Sequence, residues 1–322
     1  MNNRITLASD HKDGHGDVIT KEALEMMAET VNGFRKVRWG VEHKRHLPPM
    51  GRAEDAKVEE KDGYHYLTVR QIEYDVYETI DWNEDLVKAS FSENQSPFVE
   101  PEFDPPSISE LSIDPHNFAS RLEHEDYVSS LKSANDSFDT AEFGRKALLN
   151  DPELILRIAE YYLIYEFLTR TIGQAVRKSS DKISTEIAED SVKIYSLIKS
   201  SVREMASRVR LKNRSINYII KFPNESEIEL FAKIKDPEVL IKALKGEKIE
   251  KLRSEIDEIR SHTSFEKIQF ILTDKGRWKF NYLLTEKGET IGRKRSFKKR
   301  DRVLEYITNK KYINSNRLPD KR

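Results

Sequence analysis

The spacing of apolar residues changes twice along the chain. Up to about residue 118, apolar and polar residues alternate in short runs bounded by glycine, proline and aspartate, which predicts β-strands. A helix at 21–30, capped by Thr20, interrupts these strands, and a weaker helix is predicted at 74–85. The proline-rich stretch 96–107 is predicted to be an extended loop. The predicted strands are 5–8, 37–42, 51–58, 64–71, 86–92 and 108–113.

From about residue 139 the apolar period becomes that of an amphipathic helix, which predicts two long helices. The last third of the chain alternates again between strand and helix patterns. The predicted helices are 141–178, 181–211, one opening at Asp236-Pro237, 247–260 and 298–309. The predicted strands are 216–222, 227–234, 267–273, 277–285 and 290–293.

These patterns predict an α+β protein with three domains. The first, residues 1–120, is β-rich; residues 121–212 form a region of long helices; and residues 213–322 form a small α+β domain with a basic C-terminal tail. A length of 322 residues suits two or three domains.

Composition restricts the chemistry. The chain has no cysteine, which excludes disulfides, thiolate nucleophiles and cysteine zinc sites and fits a reducing compartment. The most apolar run, 154–168, is too short and too charged to span a bilayer, and the N-terminus lacks a signal-peptide core. We therefore expect a cytoplasmic protein without membrane contact. A turn is favoured over a metal site at the cluster His11, Asp13, His15 and Asp17, and no cofactor is predicted.

Charge is distributed unevenly. Residues 1–136 carry 15 Lys/Arg against 28 Asp/Glu, a net charge of −13, whereas residues 275–322 carry 16 against 5, a net charge of +11. This asymmetry indicates a homo-oligomer joined head to tail, or a nucleic acid or acidic protein partner at the basic C-terminus. The aromatic residues that alternate along the predicted strand 277–285 are expected to form a core face rather than a stacking platform for single-stranded nucleic acid.

Four short patterns follow one another in the first third of the chain. They are DHKDG at 10–14 with GDVI at 16–19, WGVEH at 39–43 with PPMGR at 48–52, LVKASFS at 86–92, and SELSI at 109–113 with DPHN at 114–117. In order and spacing they resemble the prohead (capsid maturation) proteases of tailed phages, over residues 4–118. The resemblance implies a β-barrel fold ringed by helices, similar to herpesvirus assemblin.

The resemblance also implies a serine endopeptidase that cleaves a capsid or scaffold protein, or itself. It makes His43 the general base, Ser90 the nucleophile and Glu110 the carboxylate that orients the imidazole. A histidine with a pKa near 6.5 suits proton transfer at neutral pH.

Several alternatives stay open at this site. Ser92 faces the same way as Ser90 and is a second candidate nucleophile. His116 and His124 are alternatives to Glu110 as the third member, and Arg52 is a candidate to join backbone amides at the oxyanion. Phe, Ser and Glu at 91–93 stand where the family has a small apolar residue and glycine. The alternative function is therefore a catalytically inactive protease fold used for assembly or recognition, with a basic C-terminal domain that binds nucleic acid or an acidic partner.

Overall fold

The computed structural model describes residues 4–12, 18–41, 44–99, 109–134, 138–143, 151–158, 182–210, 214–223, 226–245 and 247–315. Within these ranges the protein is a mixed α+β chain with six α-helices and large β-sheets, one of them a half-barrel. The chain divides into two compact units, residues 1–99 with 281–322, and residues 100–280. Of the helices in these ranges, none combines the length and the apolar character that crossing a membrane requires.

The half-barrel opens the first unit. It consists of β1 (Arg4–Ser9), β2 (Val37–Trp39), β3 (Gly51–Lys61), β4 (Tyr64–Glu73) and helix α1 (Lys21–Asn32). The strands are antiparallel in the order β1-β4-β3-β2, with register shifts in β1 and β3 that bend the sheet. Leu24 and Val31 of α1 pack on Leu67 and Val69 in its core. The predicted helix cap is confirmed, because the Thr20 side chain accepts a hydrogen bond from the α1 backbone at 3.2 Å.

A second group of strands in the first unit carries the predicted nucleophile. Its members are β5 (Val76–Thr79), β6 (Leu86–Ser90), β14 (Thr290–Arg293) and helix α6 (Lys294–Ser315). Strand β6 pairs antiparallel with β5 on one side and with β14 on the other. The predicted helix at 74–85 is wrong, because residues 76–79 satisfy their backbone groups in the ladder with β6.

The second unit is built on six strands in the order β12-β11-β10-β9-β7-β8. The strands are β7 (Ser109–Ile113), β8 (Phe138–Glu142), β9 (Glu153–Arg157), β10 (Ile216–Phe222), β11 (Glu227–Ile234) and β12 (Lys267–Leu272). The helices are α2 (Arg121–Ala134), α3 (Lys182–Arg208), α4 (Pro237–Ala243) and α5 (Glu247–His262). Tyr127 of α2 and Tyr218 of β10 are buried and donate to carbonyls of Ser201 and Val202 in α3, at 3.1 and 3.2 Å.

The helix predicted at 141–178 is wrong where the structure describes it. Residues 138–142 and 153–157 are strands, and residues 144–150 and 159–181 lie outside the described ranges. Strand β9 pairs parallel with β10, and four of its five residues are buried. The spacing of apolar residues in so short a run is the same for a buried strand as for a buried helix. Pairing with the neighbouring strand β10 therefore determines that residues 153–157 form a strand.

The units differ from the predicted domains, whose boundaries were at residues 120 and 212. The chain returns to the first unit at residue 281, because β14 pairs with β6 and Tyr74 Oη donates to Gly288 O at 3.0 Å. Strand β7, predicted for the first domain, belongs to the second unit. The aromatics of β13 (Trp278–Leu284) are buried, which confirms that they form a core face.

Candidate functional site

Ser90, the predicted nucleophile, is the last residue of β6 in the first unit. It pairs with Val76 of β5, and its carbonyl accepts a hydrogen bond from Asp75 N at 3.3 Å. The neighbours Ala89 and Phe91 belong to a buried hydrophobic cluster, and Ser90 itself is 6% exposed. The strand therefore fixes Ser90 in place and leaves little of its side chain open to a substrate.

Ser92, the alternative nucleophile, is held by a carboxylate. Its Oγ donates to Asp75 Oδ2 at 2.6 Å, and its backbone N–H donates to Asp75 Oδ1 at 2.8 Å. The Ser92 hydroxyl and N–H together hold the pKa of the Asp75 carboxyl below its usual value. Acyl transfer requires the serine hydroxyl to lie within hydrogen-bond reach of a base, usually an imidazole, whereas this hydroxyl is bonded to a carboxylate.

Arg52, the predicted oxyanion residue, is buried and already engaged. Its Nε lies 2.5 Å from Glu54 Oε1, and its Nη1 donates to the carbonyl of Asn94. The guanidinium also lies 4.1 Å above the centre of the Phe91 ring. An oxyanion site needs donors directed at the position where negative charge develops. The Arg52 guanidinium is directed instead at Glu54, Asn94 and Phe91.

Glu110, the predicted orienting carboxylate, lies on β7 in the second unit. Its Oε1 accepts hydrogen bonds from Ser112 Oγ at 2.6 Å and from Arg157 Nη1 at 2.7 Å. His43, the predicted general base, lies outside the described residues. The triad of His43, Ser90 and Glu110 therefore stays a prediction.

The alternative third members, His116 and His124, are also in the second unit. His116 is partly exposed, with Nδ1 3.0 Å from Asp114 Oδ1. His124 on α2 is buried, and desolvation lowers its pKa despite Glu142 Oε1 at 3.7 Å from Nδ1. It borders a cavity of about 200 Å³ between α2 and β8. Both of its ring nitrogens are buried, which suits packing better than proton transfer to a ligand.

A band of charged and polar side chains that the sequence patterns did not predict crosses the sheet of the second unit. The strand register brings its members side by side on β7, β9, β10, β11 and β12. We call this band the charge row; it consists of Glu110, Arg157, Lys221, Glu227, Glu229, Lys267 and Gln269.

The contacts within the charge row are short. Lys267 is fully buried, and its Nζ lies 2.8 Å from Glu229 Oε2 and 2.9 Å from Glu227 Oε1. Lys221 Nζ lies 3.3 Å from Glu227 Oε2, and Gln269 donates to Glu229 Oε1 at 2.5 Å. Together with the ion pair between Glu110 of β7 and Arg157 of β9, the charge row contains three cations and three anions. Burying ions is costly unless each is paired, and here the formal charges cancel.

The sequence signal for the charge row is a pair of alternating motifs, Glu-Xaa-Glu at 227–229 and Lys-Xaa-Gln at 267–269. Alternation places both members of each motif on one face of a strand. Only the register shows that the two motifs lie opposite each other. In the described part of the chain, no group of three or more His, Asp or Glu side chains is arranged to hold a metal. The row is therefore an ionic network whose formal charges balance.

Helix α6 of the first unit carries an exposed basic surface. Four cations spaced three, four and seven residues apart lie on one side of the helix and are exposed. We call this surface the basic face; it consists of Arg295, Lys298, Lys299 and Arg302. The opposite side of the helix carries Phe297 and Arg300, both buried. The basic face therefore points to solvent.

Contacts within the first unit hold α6 in place. At its start, Lys294 N donates to Asp85 O at 2.8 Å. Six residues later the buried Arg300 donates from Nη1 to Pro49 O at 2.7 Å. Phe297 packs in a cluster with Tyr282 and meets the Tyr77 ring edge-on, with ring centres 6.3 Å apart. The cations are thus mounted on an anchored helix rather than on a loose tail.

Comparisons with known proteins give no further guide. No family model, no curated protein and no solved structure matches the chain. The candidate sites are therefore distinguished by their own chemistry: a nearly buried Ser90, a charge row with balanced formal charges and an exposed basic face.

Proposed function

We propose that the chain is a nucleic-acid-binding protein, and that the basic face of α6 contacts the phosphate backbone. One observation carries this proposal: four exposed cations lie on the solvent side of a helix whose other side is anchored. Lys and Arg that neutralise phosphates release condensed counterions, and this release supplies most of the sequence-independent affinity for nucleic acid.

The arrangement of the basic face suits a linear polyanion. Arg295 and Arg302 are seven residues apart, which corresponds to about 10 Å along the helix axis at 1.5 Å per residue. Phosphates follow one another along a strand, so successive turns of α6 meet successive charges. Anchoring by Phe297 and Arg300 means that little conformational freedom is lost on binding.

We further propose that the first unit has a herpesvirus-protease-like fold that does not hydrolyse peptides. Three contacts support this part of the proposal. Ser92 donates a hydrogen bond to Asp75, and Arg52 forms an ion pair with Glu54. The carboxylate of Glu110 forms an ion pair with Arg157 of the charge row. Each contact occupies a group that the protease mechanism needs in another role.

A binding assay with charge-reversal variants tests the nucleic-acid proposal. Fluorescence anisotropy of a labelled oligonucleotide at low salt is expected to rise with added wild-type protein. Lys298→Glu/Arg302→Glu places two anions on the basic face and is expected to abolish this rise. The matched control is Lys248→Glu/Lys251→Glu, which changes two exposed cations one turn apart on α5 and is expected to bind like wild type.

Two outcomes would contradict the proposal. One is no binding of any oligonucleotide at low salt, and the other is equal binding by both double variants. Competition with polyglutamate of equal charge distinguishes an acidic protein partner, including residues 1–136 of a second copy with their net charge of −13. If polyglutamate displaces the protein as well as unlabelled oligonucleotide does, the acidic partner is favoured.

The second candidate function is the serine endopeptidase implied by the resemblance. It is supported by the position of Ser90 at the end of β6, a strand that pairs with β5 on one side and β14 on the other, where a nucleophile is well fixed. The test compares wild type with Ser90→Ala and His43→Ala on a candidate capsid or scaffold protein. Cleavage lost in both variants would support peptidase activity, and identical patterns from all three proteins would exclude it.

A further inference from the structure

An exposed aromatic ring extends the basic face of α6. Tyr306 lies four residues after Arg302, one turn further along the same side of the helix, and is 66% exposed. At 100° per residue, Tyr306 and the four cations fall within a sector of about 100° around the helix axis. A polyanion that follows the basic face therefore reaches the Tyr306 ring at its end.

Ring and cation are close enough to serve one nucleotide. One helical turn separates Arg302 from Tyr306, which places their Cβ atoms about 6 Å apart. A phosphate paired with Arg302 would bring an attached base next to the phenol ring. Stacking of a base on an aromatic side chain contributes about 1–3 kcal/mol and is tolerant of sequence.

Bases in a duplex are not available for such a contact, because each is stacked between its neighbours within its own strand. A carboxylate also borders the basic face on one side: Glu305 is exposed and lies beside the row that contains Lys298 and Arg302. In the major groove of a duplex, a helix lies between two phosphate backbones. Glu305 would then face one of these backbones and repel it, whereas a single strand can follow the cations alone.

We propose that the basic face selects single-stranded over double-stranded nucleic acid, with Tyr306 stacking on a base while Arg302 holds its phosphate. This inference rests on the proposed function and specifies its ligand. The affinity then has two contributions. The cations contribute affinity that depends on salt, and the Tyr306 ring contributes affinity that does not.

The test uses two labelled probes, a 20-nucleotide single strand and the corresponding 20-base-pair duplex, with the full chain in anisotropy titrations. Wild type is expected to bind the single strand at least tenfold more tightly. Tyr306→Ala is expected to weaken single-strand binding about 5- to 150-fold, the loss of one stacked base, with an unchanged salt slope. Tyr306→Phe, which keeps the ring, is expected to bind like wild type.

The control is Tyr64→Ala, which removes another exposed tyrosine of the first unit, on β4. It is expected to leave both affinities unchanged. Equal or tighter duplex binding, or a Tyr306→Ala variant that binds the single strand like wild type, would overturn the inference while leaving phosphate binding intact. Failure of both probes to bind at low salt would overturn the proposed function itself, so the two failures are distinguishable.

Discussion

Replacing Lys267 by methionine tests whether the balance of charge within the charge row stabilises the second unit. Lys267 is fully buried between Glu227 and Glu229, with Nζ 2.9 and 2.8 Å from their carboxylate oxygens. Methionine fills a similar volume, so the change removes a charge with little change in packing. It leaves two carboxylates with Lys221 as their remaining buried cation within the row.

The expected loss follows from this imbalance. Removing one partner of a buried ion pair costs about 3–5 kcal/mol, because the other charge stays buried without compensation. A domain has only about 5–15 kcal/mol of stability, so Lys267→Met is expected to remove a large part of the free energy of unfolding of the second unit. Lys267→Met combined with Glu229→Gln restores neutrality and is expected to recover most of the loss.

The assay is urea unfolding followed by tryptophan fluorescence in a Trp39→Phe/Trp82→Phe background. The chain has three tryptophans, so Trp278 of the second unit is then the single remaining tryptophan. The matched control is Lys233→Met, which breaks an exposed ion pair with Asp151 and is expected to cost less than about 1 kcal/mol.

Two results would refute the reasoning about the charge row. The first is a single variant whose free energy of unfolding lies within about 1 kcal/mol of wild type. The second is a double variant as unstable as the single one, because neutrality would then have no bearing on the loss.

Three further predictions concern local features. Burial lowers the pKa of His124, so the unfolded chain takes up a proton near pH 6.5 that the folded chain does not. Stability of the second unit should therefore fall as pH drops from 7.5 to 5.5, and His124→Gln should reduce that fall; an equal pH dependence would contradict the burial argument. Gly51→Ala places a Cβ 1.9 Å from Ile72 O and should lower the thermal midpoint clearly; an unchanged midpoint would contradict the close approach of β3 and β4. Arg300→Met leaves Pro49 O without its donor and should cost about 1–3 kcal/mol by urea unfolding; an unchanged free energy of unfolding would contradict the role of this hydrogen bond.

Local signals predicted much of the secondary structure correctly. The Thr20 cap and the apolar spacing after it predicted α1, and alternation predicted β3 and β4 within a few residues of their observed bounds. These elements are decided by neighbouring residues, since a cap side chain or an alternating pattern acts over a few positions. The sequence indicated a basic C-terminus through the net charge of +11 over residues 275–322, but only the helix and its buried side show that the four cations share one surface.

The secondary-structure predictions were wrong where contacts with distant segments of the chain determine the structure. The stretch at 76–79 is a strand because β6 lies beside it, and β9 is a strand because β10 does. The charge row was missed for the same reason, since Glu229 and Lys267 become partners only through strand register. Tertiary context overrides local propensity in these places, and a single sequence does not encode register in a readable form.

The salt dependence of oligonucleotide binding tests the central claim most directly. If the four cations of the basic face contact phosphates, the logarithm of the binding constant for a single strand should fall against the logarithm of salt concentration with a slope of about −3. Arg302→Gln should make this slope shallower by about 0.7, the share of one phosphate contact. Affinity that does not change with salt, or a slope unaltered when all four cations become glutamine, would contradict the account.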